Sequence, residues 1–316
     1  MADPRRAVGG GDSRPDTGAL RSPGPIVPVM PGTLTLCATP IGNLGDASPR
    51  LAETLAGSDR VFAEDTRRAR VLLDHLGVDR PLASYFVGNE ADRGAELAEH
   101  LRNGESVALI SDAGMPGVAD PGVSAVRVAR EVGARVSVIP GPSAVIAAVA
   151  VSGFGADRFV FEGFLPRKGG ERRRRIEQVA LEERTVVLFS SPRRLTHDLE
   201  DLAAVCGDDR ALCVTRELSK RFEEIWWGST GAAAAHWAGV GPRGEFTVVL
   251  APADRPADLD GAVEIARELL EEGASRSEAA RRAAAASGAS RREIYERIGS
   301  ISRSAGRDTP NTRPSP

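Results

Sequence analysis

The residues best placed for chemistry lie at positions 111–122, which read S-D-A-G-M-P-G-V-A-D-P-G. Glycines let a backbone come close to a ligand, and the amides that open the following segment can meet an anionic group such as a carboxylate. Similar loops, residues 39–45 and 140–143, follow two other predicted strands. A tight turn between a strand and a helix is the alternative for any one of these loops. Their recurrence at the ends of neighbouring strands favours a shared ligand site.

Alternating strands and helices must position these loops. The sequence predicts a buried strand at residues 33–38 and further strands at residues 59–63, 106–110 and 135–139, and a helical segment follows each of them. This alternation indicates a parallel sheet that is covered by helices on both faces. In such a sheet the loops at the carboxyl ends of the strands meet along one edge, where ligands bind.

The pattern changes near Asp157 and predicts a second α/β domain with a mixed sheet. Its predicted strands are residues 159–164, 185–189, 211–215, 222–228 and 245–250, the last two antiparallel and flanking a short alanine-rich helix. After a linker at residues 252–256, residues 259–298 are predicted to form about three amphipathic helices. A small helix-turn-helix-like appendage and a generic helical hairpin both fit this last segment.

Length and composition limit the class of protein. The 316 residues accommodate two packed domains, and no apolar run approaches the roughly 20 residues of a membrane span. A net charge of −3 argues against a uniformly basic nucleic-acid binder but allows a local basic patch. Three cysteines are spaced for neither a disulfide framework nor a zinc site, so we expect a protein of the reducing cytosol without a metal. Residues 1–31, in which Met30 could be the true start, and residues 301–316 are predicted to be disordered.

Several short motifs follow one another in a specific order: T-P-I-G-N, A-E-D-T-R, S-D-A-G-M-P-G-V-A-D-P-G, P-G-P-S-A, E-G-F-L-P-R-K, R-E-L-S-K and G-E-F-T-V-V-L. Over about residues 32–298 this set resembles the ribosomal RNA small subunit methyltransferase I family. The resemblance implies a tetrapyrrole-methylase fold, with α/β domains at residues 32–153 and 154–252, a helical appendage at residues 257–300, and S-adenosylmethionine in the interdomain cleft. It also implies 2′-O-methylation of a decoding-centre cytidine of 16S rRNA in the 30S subunit, by a homodimer in the bacterial cytoplasm.

The sequence departs from the family pattern at a few positions. Met115 stands where a threonine is usual, and Ala119 where a polar residue is usual. In the segment that includes residues 189–195, Ser190 replaces a glutamate and Arg193 replaces a histidine. These departures leave the predicted donor loops mostly intact and concern the substrate side.

The donor of the methyl group has a carboxylate, an ammonium, a ribose and an adenine to be held. The backbone amides of residues 112–114 are expected to hold the carboxylate, and the other two loops to wall the pocket. None of these three loops has the G-x-G-x-x-G fingerprint, which argues against a dinucleotide. The predicted donor-binding residues are Pro40, Ile41, Gly42, Asp112, Ala113, Gly114, Val118, Asp120, Pro140, Gly141, Ser143 and Gly163.

The acceptor hydroxyl must lose a proton, and a positioned base or a nearby cation would assist. A lysine with a lowered pKa is one route, and of the two lysines in the chain Lys220, at a predicted strand end beside Glu217, is the better candidate. A structural ion pair is the alternative role for Glu217 and Lys220. Glu64 and Asp65 offer a carboxylate route, although Asp65 could simply cap the following helix.

An RNA acceptor requires cationic surface for its phosphates. The densest basic cluster comprises Arg167, Lys168, Arg172, Arg173, Arg174 and Arg175, and we add Arg67 to the predicted RNA contacts. A solvated helix face is the alternative interpretation of this cluster. The adjacent Trp226 and Trp227 face opposite ways if they lie in a strand, so we expect one in the core and the other at a subunit interface or near the RNA.

Two other functions are kept as alternatives. One is a small-molecule methyltransferase of the same fold, such as a tetrapyrrole-pathway enzyme. The other is a non-enzymatic ribosome-assembly factor that retains a vestigial donor pocket. The arginine cluster, the helical segment and the ordered motifs favour the RNA enzyme.

Overall fold

The computed structural model describes residues 31–253 and 259–304. The predictions of disorder for residues 1–30 and 305–316, and most of the predicted linker, lie outside this part of the chain. Within it, the expected α/β class is confirmed, with two five-stranded sheets and a helical segment at its end.

The first sheet is parallel, as predicted. Its strands lie side by side in the order β3-β2-β4-β1-β5, and every pair is parallel. The strands are β1 (Thr33–Cys37), β2 (Arg60–Ala63), β3 (Leu82–Ser84), β4 (Ser106–Ile110) and β5 (Arg135–Ile139). Apolar clusters pack on both faces of this sheet, which is why its central strands read as continuous apolar runs.

Helices connect these strands, and three of the five begin at a side-chain cap. The helices are α1 (Pro49–Gly57), α2 (Thr66–His75), α3 (Glu90–Arg102), α4 (Val123–Glu131) and α5 (Ala144–Ser152). Ser48 caps α1 by accepting a hydrogen bond from the backbone N–H of Leu51, and Pro49 occupies the first helical position. Ser143 caps α5 in the same way. It is the last residue of the loop of residues 140–143, which we call the third loop, so this loop leads directly into the helix.

The second sheet is mixed, in the order β6-β7-β10-β8-β9. Its strands are β6 (Phe159–Phe164), β7 (Thr185–Ser190), β8 (Ala211–Arg216), β9 (Glu224–Ser229) and β10 (Phe246–Leu250), and its helices are α6 (Gly169–Leu181), α7 (Leu195–Cys206) and α8 (Thr230–Ala238). β9 and β10 do not pair with each other. Each is antiparallel to β8, which lies between them.

Helix α5 joins the two halves of the molecule. Its Val145, Ala148 and Val149 pack on Val187 and Val249 of the second sheet. Helices α6 to α8 cover the opposite face of that sheet. One helix of the first domain therefore supplies part of the core of the second, and this fixes how the two sheets face each other.

The final segment forms three helices, as predicted: α9 (Leu259–Glu271), α10 (Arg276–Ser287) and α11 (Arg291–Ser304). They share an apolar cluster of their own that includes Ala266, Ala280 and Ile294. Because α11 continues to Ser304, residues 301–304 are helical and do not belong to a disordered tail as predicted. None of the helices described in residues 31–253 and 259–304 is long and apolar enough to cross a membrane.

Candidate active site

A cleft of about 360 Å³ opens between the two sheets. Its first wall comes from the loops at the carboxyl ends of the parallel strands, including Ile41, the stretch from Asp112 to Asp120, and Ser143. Its second wall comes from the second sheet and includes Phe164, Phe189 and Thr247. Loops that are far apart in the sequence therefore face one hollow, at the edge of the sheet where open α/β folds bind ligands.

We call the loop of residues 111–122 the central loop. Two backbone hydrogen bonds connect it to the loop after β1. The N–H of Thr39 donates to the carbonyl of Gly114 over 2.9 Å, and the N–H of Gly114 donates to the carbonyl of Thr39 over 3.2 Å. The Thr39 hydroxyl also donates to the carbonyl of Ser111. Gly114 has a φ of +82°, which glycine adopts without the strain that a side chain would bring.

A second hollow of about 200 Å³ lies beside the cleft, and we call it the lysine hollow. Both spaces share a wall made of Ile41, Arg68, Asp112, Ala113 and Glu245. Lys220 reaches the lysine hollow across Gly42, which has a φ of +147°. A β-carbon on Gly42 would lie 2.3 Å from Cγ of Lys220, so only glycine lets the lysine stem cross this loop.

The predicted donor residues divide into three groups. Those that line the cleft are Ile41, Asp112, Ala113, Gly114, Val118, Asp120 and Ser143. Pro40 and Gly42 line the lysine hollow instead. Pro140, Gly141 and Gly163 are among the lining residues of neither space.

The glycines of this last group have structural roles. A β-carbon on Gly141 would lie 2.9 Å from the β-carbon of Ala38, so this glycine lets the third loop pack against the end of β1. Gly163 has a φ of +63° and lies where the pairing of β6 with β7 shifts register. Its neighbour Phe164 lines the cleft, so at this strand end the residue that faces the cleft is Phe164 and not the predicted Gly163.

Four carboxylates face the cleft: Glu64, Asp112, Asp120 and Glu245. Burial, and then the charge of Asp112, raise the pKa of Glu64 above its ordinary value. Burial, and then the charge of Glu64, raise the pKa of Asp120 to about 6. The Asp112 carboxylate is held by the backbone N–H of Asp65 over 3.0 Å and by Arg68 over 3.2 Å. Negative charge concentrated in a half-buried space favours a cationic ligand.

Asp65 caps helix α2, which was the alternative to its predicted catalytic role. Its carboxylate accepts a hydrogen bond from the backbone N–H of Arg67 over 2.8 Å, which caps α2, and two more from the Arg67 guanidinium. The bonds from Arg67 hold the pKa of Asp65 well below its usual range. A carboxylate stabilised in this way is a poor proton acceptor.

Lys220 is a paired cation. Its Nζ lies 2.9 Å from Oε1 of Glu217 and 2.9 Å from Oε2 of Glu245. Burial lowers the pKa of Lys220, but the bonds to Glu245 and Glu217 outweigh burial and raise it above the ordinary lysine value. The prediction of a lysine with a lowered pKa is therefore wrong, because two carboxylates stabilise the charged form.

Glu217 is held in the same arrangement. Burial raises its pKa, but the bonds from Lys220 and from the backbone N–H of Glu245 bring it below the usual value. Both Glu217 and Ser219 have positive φ values, of 50° and 67°. The loop between β8 and β9 thus adopts a strained backbone to present Lys220 to the first domain.

The predicted basic cluster is only partly on the surface. Arg172 is 5% exposed and pairs with Asp198 over 2.8 Å and Asp201 over 2.6 Å, so its predicted contact with RNA is wrong. Its burial follows from the helical period, which turns this position of α6 toward α7. Arg175 pairs with Glu162. The exposed members are Arg167, Lys168, Arg173 and Arg174, and Arg67 is exposed beside Asp65.

Several residues that line the cleft were not among the predicted donor-binding residues. The second wall contains Phe164, Phe189, Thr215, Leu218, Phe246 and Thr247, and the first contains Arg68 and Met115. Apolar residues at strand ends look the same whether they face a core or a ligand, so local patterns do not single them out. Ser190, which departs from the family pattern, lines the cleft and donates a 2.7 Å hydrogen bond to Asp198.

The two tryptophans of β9 face opposite ways, as predicted. Trp226 stacks on His236 and packs against the core of the second domain. Trp227 is exposed, and its Nε1 donates to the carbonyls of Val151 and Ser152 at the end of α5. It therefore contributes to the junction between the domains.

Comparison with known families defines the class of protein. A sequence model described as Tetrapyrrole (Corrin/Porphyrin) Methylases matches residues 33–234. Among solved structures, the methyltransferase CobJ matches with a TM-score of 0.54 at 20% identity, over 71% of this chain and 95% of its own. A uroporphyrin-III C-methyl transferase from Thermus thermophilus, complexed with S-adenyl homocysteine, matches with a TM-score of 0.51 at 18% identity, over 69% and 96% of the two chains. These structural likenesses establish the fold.

Curated relatives are more specific. A protein of Synechocystis sp. named ribosomal RNA small subunit methyltransferase I is 43% identical over 269 residues, which are 84% of this chain and 96% of the relative. A protein of the same name from Mycobacterium tuberculosis is 42% identical over 270 residues, 84% and 94% of the two chains. The chain belongs to the ribosomal RNA small subunit methyltransferase I family of the tetrapyrrole methylases. The resemblance inferred from the ordered motifs is confirmed.

Proposed function

We propose that this protein transfers a methyl group from S-adenosylmethionine to the ribose 2′-hydroxyl of a decoding-centre cytidine in 16S rRNA. The observation that carries the proposal is the interdomain cleft, in which the central loop and the second sheet face one space lined by carboxylates and apolar side chains. Family membership supports methyl transfer to ribosomal RNA.

The lining of the cleft fits this donor. S-adenosylmethionine supplies the methyl group of its sulfonium to an acceptor, and its sulfur becomes an uncharged thioether. Glu64, Asp112, Asp120 and Glu245 give the cleft the negative charge that suits a sulfonium and an ammonium. Phe164 and Phe189, whose rings lie 5.5 Å apart, give it an aromatic wall suited to a nucleobase.

Of the residues predicted to act on the acceptor proton, Glu64 fits best. It lines the cleft, and its raised pKa makes it a better proton acceptor than an ordinary carboxylate. Lys220 remains protonated, so we assign it the role of a fixed cation that stabilises charge developing on the acceptor oxygen. Asp65 positions Arg67, and Glu217 positions Lys220. Neither acid takes part in proton transfer.

The exposed residues Arg167, Lys168, Arg173 and Arg174 near the start of α6 are the proposed contacts with rRNA phosphates, together with Arg67. The proposed substrate is 16S rRNA in the 30S subunit, in the bacterial cytoplasm.

The proposed assembly is a homodimer. Helix α5 is apolar on every side, yet Ile146 on its outer side is 56% exposed, and Val138 on the edge strand β5 is 52% exposed. Apolar surface of this kind is usually covered by a partner. In light scattering we expect a dimer for the wild type and a monomer for Ile146→Glu, with Val87→Glu, on an exposed loop, as the matched control. A monomeric wild type would contradict the proposal.

The decisive experiment is mass analysis of 16S rRNA from a strain that lacks the gene. We expect one decoding-centre cytidine to lose its ribose methyl group and to regain it when the wild-type gene is returned. An unchanged cytidine would remove the RNA assignment and favour a small-molecule substrate. Calorimetry with S-adenosylmethionine tests the donor separately, and no binding at millimolar donor would favour the non-enzymatic assembly factor.

A further inference from the structure

We infer that the lysine hollow receives the target nucleotide, with Arg68 as the residue that positions this acceptor beside the donor. This inference rests on the proposed function, and specifies where and by which side chains the acceptor is held. Arg68 belongs to none of the motifs that carry the family resemblance.

The first argument is adjacency. Methyl transfer needs the reacting atoms within about 3–3.5 Å, so the acceptor must bind in direct contact with the donor. The lysine hollow lies directly beside the cleft, since Ile41, Asp112 and Ala113 are among the residues that line both spaces. At about 200 Å³ against 360 Å³, it is the smaller of the two spaces. Its size suits one nucleoside.

The second argument is the chemistry of the lining. Pro40, Leu44 and Val71 provide apolar surface on which a base can lie, while Lys220 and Arg68 provide cations. Enzymes that modify a nucleoside take it out of the stack and into a pocket of this mixed character. An extruded nucleotide carries its phosphate with it, so a cation is required at the mouth of the pocket.

The third argument is the state of the two cations. Lys220 is bound on two sides by carboxylates and is fixed in place. Arg68 contacts Asp112 over 3.2 Å, but its side chain remains 65% exposed. The guanidinium therefore has N–H groups directed to solvent while the contact with Asp112 orients it. Arginine in this state suits a phosphate at the entrance, and Lys220 suits the ribose deeper in the hollow.

The test compares Arg68→Gln with Arg70→Gln in steady-state methylation of 30S subunits. Arg70 lies on the same helix, pairs with Asp79 over 3.4 Å, and is absent from the lining of both spaces. We expect Arg68→Gln to raise KM for 30S subunits roughly tenfold or more, as the loss of one charged hydrogen bond implies, and to reduce the salt slope of binding by about one. We expect the Kd for S-adenosylmethionine to change much less than this KM, and Arg68→Lys to recover part of the loss.

Two results would overturn the inference. If Arg68→Gln weakens donor binding as much as it lowers kcat/KM, the lysine hollow belongs to the donor site. If Arg68→Gln and Arg70→Gln have the same kinetics, the acceptor binds elsewhere. Both results require an active wild type, so they are distinguishable from failure of the proposed function, in which the wild type itself leaves 30S subunits unmodified. Thermal unfolding of each variant shows whether it is folded.

Discussion

At the scale of single residues, the same residue types serve different purposes according to their neighbours. Glu64 and Asp65 are adjacent acids, yet one has a raised pKa in the cleft and the other a lowered pKa beside Arg67. Burial and a neighbouring negative charge raise a carboxyl pKa, while hydrogen bonds from a guanidinium lower it. Of these two consecutive acids, one is the proposed proton acceptor and the other is a helix cap.

Exchange of Glu64 for glutamine should therefore affect catalysis, and exchange of Asp65 for asparagine should affect it much less. We expect Glu64→Gln to lower kcat by about 10²–10⁴-fold, the usual contribution of a general base. Asp65→Asn keeps a side chain that can cap α2 and should retain most activity. Single-turnover methylation of 30S subunits measures both. Equal losses in the two variants would show that Glu64 is not the base.

Asp120 should make donor binding depend on pH. With a pKa of about 6 in the folded protein, its carboxyl is neutral below that pH and negative above it. We expect affinity for the cationic donor to weaken several-fold as the pH falls from 7.5 to 5.5, and the dependence to flatten in Asp120→Asn. Calorimetry over this range, with Asp79→Asn as an exposed control, measures it. A pH-independent wild-type Kd would contradict the assigned role.

The same group has a predictable effect on stability. Because its pKa is raised on folding, the folded protein binds the Asp120 proton more tightly than the unfolded chain does. The contribution is therefore favourable at acid pH and is lost as the pH rises through about 6. Asp120→Asn should raise the unfolding temperature of the ligand-free protein at pH 8.

At the scale of elements, α6 shows why a run of basic residues is not one functional unit. Its four consecutive arginines point in four directions at helical spacing, so one is buried, one pairs with Glu162, and two face solvent. The consecutive arginines therefore divide into residues held in ion pairs and a smaller exposed patch.

Arg172 and Arg174 should therefore give opposite phenotypes. Arg172→Ala leaves the buried Asp198 without its main partner and should cost about 3–5 kcal/mol in the free energy of unfolding. Arg174→Ala should change that free energy by less than about 0.5 kcal/mol and weaken 30S binding with a shallower salt slope. Urea denaturation and binding at several salt concentrations measure the two effects. A stable Arg172→Ala variant would contradict the structural role.

At the scale of the whole molecule, two domains share a core through α5, while the three final helices have a core of their own. Stability is expected to divide along the same line, because helices that pack chiefly on one another can unfold as a unit. Residues 254–258 connect the two parts.

Removal of the final helices should therefore leave the methyltransferase part folded. For a chain that ends at residue 253 we expect an unfolding temperature within a few degrees of that of the two-domain transition in the full chain, with an unchanged Kd for S-adenosylmethionine. Calorimetric unfolding and donor titration of the shortened chain measure this. Aggregation of the shortened chain or loss of donor binding would show that the helices support the cleft.

The sequence by itself determined the elements whose signals are local. Strands such as β4 and β5 were predictable because apolar residues and glycine-rich loops mark them residue by residue. The three-residue strand β3 was missed because so short a segment has no period to detect. Ordered motifs were sufficient to predict the family.

Only the tertiary structure decided which side chains meet. The pairing of Lys220 with Glu245, the burial of Arg172 and the place of Arg68 between two hollows depend on contacts across long stretches of chain. The charge state of an acid or a lysine is set by such neighbours and by exclusion of water, and neither is recorded in the local sequence. The loops were therefore predictable, whereas the chemistry of the space they enclose was not.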